Sequence, residues 1–97
     1  MKNVFETTDK TGRKIRLTKR QWDHITEKHS DMVGKEEEIK KALIKPDAII
    51  PHKFDDMSRN YYLHNKNEKA YLLVSVRYLN GEGFVITAFY TQSIRRR

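Results

Sequence analysis

A chain of 97 residues fits one domain with one modest core and leaves no room for a second. With no cysteine there is neither a disulfide framework nor a thiolate site, which points to a reducing compartment such as the cytoplasm. Twenty Lys and Arg against thirteen Asp and Glu give a net charge of +7, and no apolar run approaches the ~20 residues of a membrane span or the apolar stretch of a leader, so the chain reads as soluble, with no membrane partner.

Val4–Thr8 and Lys14–Leu17 are short β-type runs flanking Asp9-Lys10-Thr11-Gly12, and the Asp and Gly between them predict a leading hairpin. The next stretch, LTKRQWDHITEKHSDM, predicts a short amphipathic helix from Lys19, with Thr18 as N-cap and Gln21 completing a Thr-x-x-Gln capping box. Trp22, Ile25 and His29 recur at three and four residues and form its buried stripe. His24 falls on the other side, flanked by Arg20, Gln21 and Lys28, and tends toward solvent.

After Ser30, Asp31 and Gly34, the run KEEEIKKALIK predicts a second helix with Ile39, Ala42 and Leu43 inward. Glu36–Lys40 and Glu37–Lys41 support it as i,i+4 pairs, and Pro46 stops it. Ala48–Ile50 is a short strand ended by Pro51, and Lys53–Arg59 a polar loop. Asn60–His64 and Ala70–Tyr78 read as antiparallel partners across Asn65–Glu68, and Asn80-Gly81-Glu82-Gly83 turns the chain into a last strand, Phe84–Thr91. The expected fold is α+β: an N-terminal hairpin and two helices packed on an antiparallel sheet of about four strands, with Ser93–Arg97 as a free basic tail. In Ala70–Tyr78 the set Tyr71, Leu73, Ser75 and Arg77 is the more polar and faces outward, whereas the two alternating sets of Phe84–Thr91 are too alike to choose a face.

Charge is distributed unevenly. Residues 1–20 carry seven Lys and Arg against two acids, residues 21–58 six against nine, and residues 59–97 seven against two. If the basic ends meet in one sheet, they form a positive surface suited to a polyanion, above all nucleic acid. Arg13, Lys14, Arg16, Lys19 and Arg20 from the first end, with Arg95 and the tail from the other, are the candidate contacts. Tyr61, Tyr62 or Tyr71 could stack on a base, although aromatics at strand spacing more often serve a core.

His24 and His29 are five apart, which turns them about 140° from each other on a helix, unlike an i,i+4 zinc pair, and Asp55-Asp56 reads as a solvated acidic dipeptide. No metal site or cofactor is expected, and no glycine-rich phosphate loop, Ser-x-x-Lys or Gly-x-Ser-x-Gly pattern occurs. Metal-free cleavage of RNA needs less: a proton acceptor for the ribose 2′-hydroxyl, a proton donor for the leaving 5′-oxygen, and a cation or donor for the crowded phosphate. His24 is the candidate general acid or base, because a histidine titrates near neutral pH. His29, near the helix end, reads first as a packing and capping residue and second as catalytic. Arg77, held on a strand, is the candidate phosphate clamp, or else the cross-strand partner of Glu82 or another acid. Thr87 and Tyr90 are supporting donors.

Three segments together carry a resemblance: Trp22-Asp23-His24-Ile25 with His29 soon after, Pro46-Asp47-Ala48-Ile49, and Ile86-Thr87-Ala88-Phe89-Tyr90. In that order they resemble the small phage and toxin-associated nucleases of the barnase, EndoU, colicin and RelE-like superfamily, over nearly the whole chain. The resemblance implies helices packed on an antiparallel sheet, one RNase-like domain over residues 1–97, and metal-independent endoribonuclease activity on RNA such as tRNA or mRNA. It also implies a role as toxin or phage effector and, as partner, an acidic antitoxin or immunity protein. Ser30 stands where the family pattern has proline after the second histidine. The competing expectation is a noncatalytic module that binds RNA, DNA or an acidic protein.

Overall fold

Six strands and two helices make up the protein in a computed structural model described for residues 2–95. In chain order these are β1 (Asn3–Thr8), β2 (Lys14–Thr18), α1 (Lys19–Lys28), a 3-10 turn at Ser30–Met32, α2 (Glu36–Ile44), β3 (Ala48–Pro51), β4 (Ser58–Asn65), β5 (Ala70–Leu79) and β6 (Glu82–Thr91). The sheet order is β1-β2-β6-β5-β4-β3, so the last strand in the chain lies near the middle. The α+β class and both helices are as expected, and the sheet is not.

The leading hairpin does not stand apart from an antiparallel sheet of about four strands. It joins them through a parallel pairing of β2 with β6, Ile15 opposite Gly83 and Arg16 opposite Phe84, which makes one mixed six-stranded sheet. Gly83 makes this junction possible. A Cβ there would run into the Ile15 side chain and come within 2.9 Å of Val76 Cγ1, so any other residue would force these core side chains to shift. Gly83 is therefore a strand residue, and the turn is the two-residue pair Asn80 (φ 54°) and Gly81 (φ 82°), with Leu79 paired to Glu82. Both turn residues have positive φ, the requirement of a tight hairpin of this type.

The register of β6, undetermined from its sequence, follows from a bulge. Ser75 pairs with Thr87 but Val76 pairs with Val85, leaving Ile86 as the extra residue. Beyond the bulge the alternation changes parity. Val85, Ala88 and Tyr90 thus share the inner face with Leu72, Val74, Val76 and Tyr78, whereas Phe84, Thr87, Phe89 and Thr91 share the outer face with Tyr71, Leu73, Ser75 and Arg77.

The helices cover the inner face. Thr18 sits at φ −78° and ψ 152° and accepts the Gln21 backbone N–H at 3.1 Å, so it caps α1 as expected. The capping box is only half made, because the Gln21 side chain donates to the Ile86 carbonyl, freed by the bulge, instead of returning to Thr18. Trp22 and Ile25 are buried, and α1 ends at His29, whose N–H reaches the Ile25 carbonyl at 2.7 Å. Met32 in the 3-10 turn and Ile39, Ala42 and Leu43 in α2 complete the core with Ile15, Leu17 and Tyr61. No ion pair joins Glu36 to Lys40 or Glu37 to Lys41 among the described residues. The three acids of the first turn of α2 complement its dipole instead. The polar loop before β4 is shorter than expected, since β4 begins at Ser58.

At one end of the core lies a buried polar knot. Asp9 is 5% exposed. Its carboxylate accepts from Thr11 N (2.9 Å), Thr11 Oγ1 (2.7 Å), Arg13 N (2.9 Å), the Tyr61 hydroxyl and the Tyr78 hydroxyl (3.2 Å), and the two tyrosine hydroxyls also touch each other. This ties the first hairpin turn to β4 and β5. Burial pushes the Asp9 carboxyl up, but the four hydrogen-bonding partners outweigh it and hold it below the ordinary carboxylate range. The Tyr61 hydroxyl is pushed well above its ordinary value, first by burial and then by Asp9, so it stays protonated and donates.

Candidate nucleic-acid interface

The outer face of the sheet is where strand pairing gathers charged and hydroxyl side chains. One cross-strand row runs Arg16–Phe84–Arg77–Ser58 through β2, β6, β5 and β4. The next runs Thr87–Ser75–Asn60–Ile50 through β6, β5, β4 and β3. Adjacent strands lie about 4.8 Å apart, so Arg16 and Arg77 flank Phe84 with backbones roughly 10 Å from each other. The third row, Phe89–Leu73–Tyr62–Ala48, is apolar.

Both outer-face arginines have acidic partners. Arg16 Nη2 meets Glu82 Oε1 at 2.9 Å and its Nε lies 3.9 Å from Glu6, too far for a hydrogen bond, so that Nε–H is buried without an acceptor. Its guanidinium also lies 5.9 Å from the Phe84 ring centre. Arg77 meets Asp55 Oδ2 at 3.4 Å and remains exposed. Asp55 is no idle solvated acid: it accepts from Ser58 Oγ (2.7 Å) and Met57 N (3.0 Å), and these bonds, more than Arg77, hold its carboxyl below the ordinary range. The expectation that Arg77 pairs with Glu82 or another acid is met by Asp55, while Glu82 serves Arg16.

The five candidate catalytic residues do not converge on one point. Thr87 and Arg77 share the outer face in neighbouring rows. Tyr90 points the opposite way, against the core, where it accepts from Asn65 Nδ2 at 3.2 Å and burial pushes its hydroxyl up. Along β5 the partner of Tyr90, Leu72, is five residues from Arg77, a separation of roughly 17 Å. His24 is exposed on α1, as its place on the helix implies, in a shallow recess shared with Glu27 and Lys28 of the same helix. His29 is the histidine tied to the outer face: its ring stacks on Phe89, centroids 5.2 Å apart and planes at 26°, and Phe89 is two residues from Thr87.

The remaining expected contacts are scattered. Arg13 stacks on the Tyr78 ring at 4.6 Å, Lys14 reaches Glu6 at 3.8 Å, Lys19 pairs with Asp23, and Arg20 is exposed. Tyr61 is fully buried in the core and Tyr62 is 1% exposed. Neither ring offers a stacking face: Tyr61 is in the core on the inner face, and Tyr62, in the apolar row of the outer face, is covered as well; Tyr71 is half-buried against His64. The tail is not wholly free, because the Arg95 backbone donates to the Tyr62 hydroxyl at 3.4 Å. Arg96 and Arg97 lie outside the described residues. The sequence reading did not single out Asn60, Ser75, Phe84 or Phe89 as site residues. Ser75 was readable, because it alternates with the outward-facing Arg77.

Among the described residues no three metal-ligating side chains gather, and no helix is long and apolar enough to cross a membrane. No protein-family model, curated protein or solved structure matches this chain.

Proposed function

We propose that the protein binds RNA on the outer face of its sheet and cleaves it without metal, acting as a toxin or phage effector. The observation that carries this is the adjacency of the Arg16–Phe84–Arg77 and Thr87–Ser75–Asn60 rows on the outer face of the sheet, where Arg77 is exposed. It supplies two guanidinium forks, an aromatic ring and a row of neutral donors, the groups that bind a phosphodiester and the base beside it. The resemblance of the Trp22, Pro46 and Ile86 segments to small ribonucleases supports the same reading.

Cleavage on this face forms a bond from the ribose 2′-oxygen to phosphorus and breaks the bond to the 5′-oxygen, giving a 2′,3′-cyclic phosphate and a 5′-hydroxyl. Arg77, freed from Asp55 by the incoming phosphate, neutralises the crowded phosphorane with Arg16, and Thr87 donates to it. A histidine of α1 takes the 2′-hydroxyl proton or returns one to the 5′-oxygen. His29 has the structural link to the face, through Phe89, and His24 has the greater access to solvent.

Incubating the protein with tRNA and mRNA in EDTA should yield 2′,3′-cyclic phosphate ends and leave DNA intact. Arg77→Gln and Thr87→Val should each slow single-turnover cleavage about tenfold or more without changing the fold. Cutting that needs a divalent ion, or products with 3′-hydroxyls, overturns the mechanism. One observation favours a second reading, a noncatalytic RNA-binding module: both outer-face arginines are already neutralised by Glu82 and Asp55. Salt-dependent RNA binding with no cleavage of any substrate establishes that alternative.

A further inference from the structure

We propose a second phosphate-binding site, in the recess between Arg13 and Arg59 at the end of the sheet, distinct from the outer face. The recess, of about 200 Å³, is lined by Arg13 from the β1–β2 turn, Arg59 from β4, Tyr78 from β5, Gly81 from the β5–β6 turn, and Asp56 with Met57 from the loop before β4. Arg59 shares its strand parity with the buried Tyr61, so it lies on the side of the sheet opposite Arg77.

Two guanidinium groups on one small recess repel each other unless something anionic lies between them. Arg16 and Arg77 are neutralised by Glu82 and Asp55, whereas among the described residues Arg13 and Arg59, like the exposed Arg20 and Arg95, form no ion pair, and only Arg13 and Arg59 share a recess. The one carboxylate on the recess, Asp56, leaves its balance positive.

The recess is also built rather than incidental. The buried Asp9 accepts the Arg13 backbone N–H at 2.9 Å and donates its own N–H to the Arg13 carbonyl at 2.8 Å. The Arg13 guanidinium lies 4.6 Å from the Tyr78 ring centre, and Tyr78 is itself fixed by Asp9 and Tyr61. A stacked, pre-positioned fork of this kind loses little entropy on gripping a phosphate. The occupant it fits is a phosphate group, from a free phosphate compound or from the backbone of a polynucleotide. The second source rests on the RNA reading above. Asp55 and Asp56, adjacent in the loop before β4, face the two sites, Asp55 pairing with Arg77 and Asp56 lining the recess.

Titrating inorganic phosphate into the labelled wild-type protein should shift the Arg13 and Gly81 amide resonances saturably, and Arg59→Gln should abolish that response. For a single-stranded RNA oligonucleotide, the Arg13→Gln, Arg59→Gln double variant should bind about tenfold or more weakly at low salt. Its log–log salt slope should be shallower by about 1.4, the share of two phosphate contacts on a single strand. Melting curves check that each variant folds, and the wild-type phosphate titration needs no variant. Phosphate that shifts neither amide, together with unchanged RNA affinity in the double variant, overturns the site. If RNA is bound and cut equally by wild type and double variant, the recess is refuted while the outer-face reading stands. If phosphate binds in an Arg59-dependent way but RNA does not bind at all, the recess stands as a site for small phosphate compounds and the RNA reading falls.

Discussion

His24 and His29 are five residues apart on one helix and make different contacts, so replacing each with alanine gives different expected results. His24 is exposed, and His24→Ala should change stability by no more than about 0.5 kcal/mol. His29→Ala removes a ring stacked on Phe89 at the cap of α1 and should cost about 1 kcal/mol or more in urea unfolding. If either is the general acid or base, single-turnover cleavage by that variant falls about a hundredfold while RNA binding is nearly retained. Wild-type rates from both variants remove the histidines from the mechanism.

Asp9 gives a second test at the same scale. Its carboxyl is held below the ordinary range in the folded protein, so it stabilises the fold above the unfolded carboxylate value, and that contribution disappears as pH falls through the folded value. Acid melts should therefore lose stability below about pH 4. Tyr61→Phe, which removes a buried donor from Asp9, should cost about 1–3 kcal/mol at neutral pH and make the acid loss shallower. A Tyr61→Phe protein with the wild-type acid profile means that Asp9 is not the group responsible.

Individual elements were largely legible, and the exceptions have physical causes. The hairpin turn, the Thr18 cap, the Trp22 and Ile25 positions of α1, the stripe of α2 and the outward set of β5 follow from local chemistry and periodicity, whereas His29, expected on the buried stripe, is a half-exposed C-cap stacked on Phe89. The face of β6 did not follow, because a bulge at Ile86 breaks the period of two on which such readings depend. The parallel junction of β2 with β6 was hidden for another reason: Gly83 sits among turn residues, and nothing local distinguishes a turn glycine from one needed for close approach. Gly83→Ala tests this, and should destabilise by about 1–3 kcal/mol through overpacking against Ile15 and Val76. Gly81→Ala offers a contrast, since its Cβ would meet open space and its cost comes only from φ 82°. Of the candidate site, only the outward face of Arg77 is legible from alternation; that Thr87 shares it and Tyr90 lies on the opposite face follows from the register of β6, which its sequence does not give.

At the scale of the whole molecule, the basic ends of the chain meet, as β2 lies against β6. Their charge is not pooled on one surface, however: Arg16 and Arg77 are on the outer face, Arg13 and Arg59 at the recess, and Lys14 and Lys19 are paired with acids. RNA affinity should accordingly fall with salt, but with fewer displaced counterions than the +7 charge implies. A titration between 50 and 200 mM salt measures the count directly, and a slope near zero removes the nucleic-acid reading.

The position of β6 also bears on how the chain is made. Synthesis proceeds from the N-terminus, and β6, which separates β2 from β5, follows every other element in chain order. Until Glu82–Thr91 has emerged, the β1–β2 hairpin has no strand through which to join β5, and the Arg16–Phe84–Arg77 row does not exist. A ribosome-bound chain halted before Glu82 therefore lacks the strand that joins the β1–β2 hairpin to β5. For the ribonuclease proposed above, the growing chain would thus lack the outer-face row until its last strand has been made.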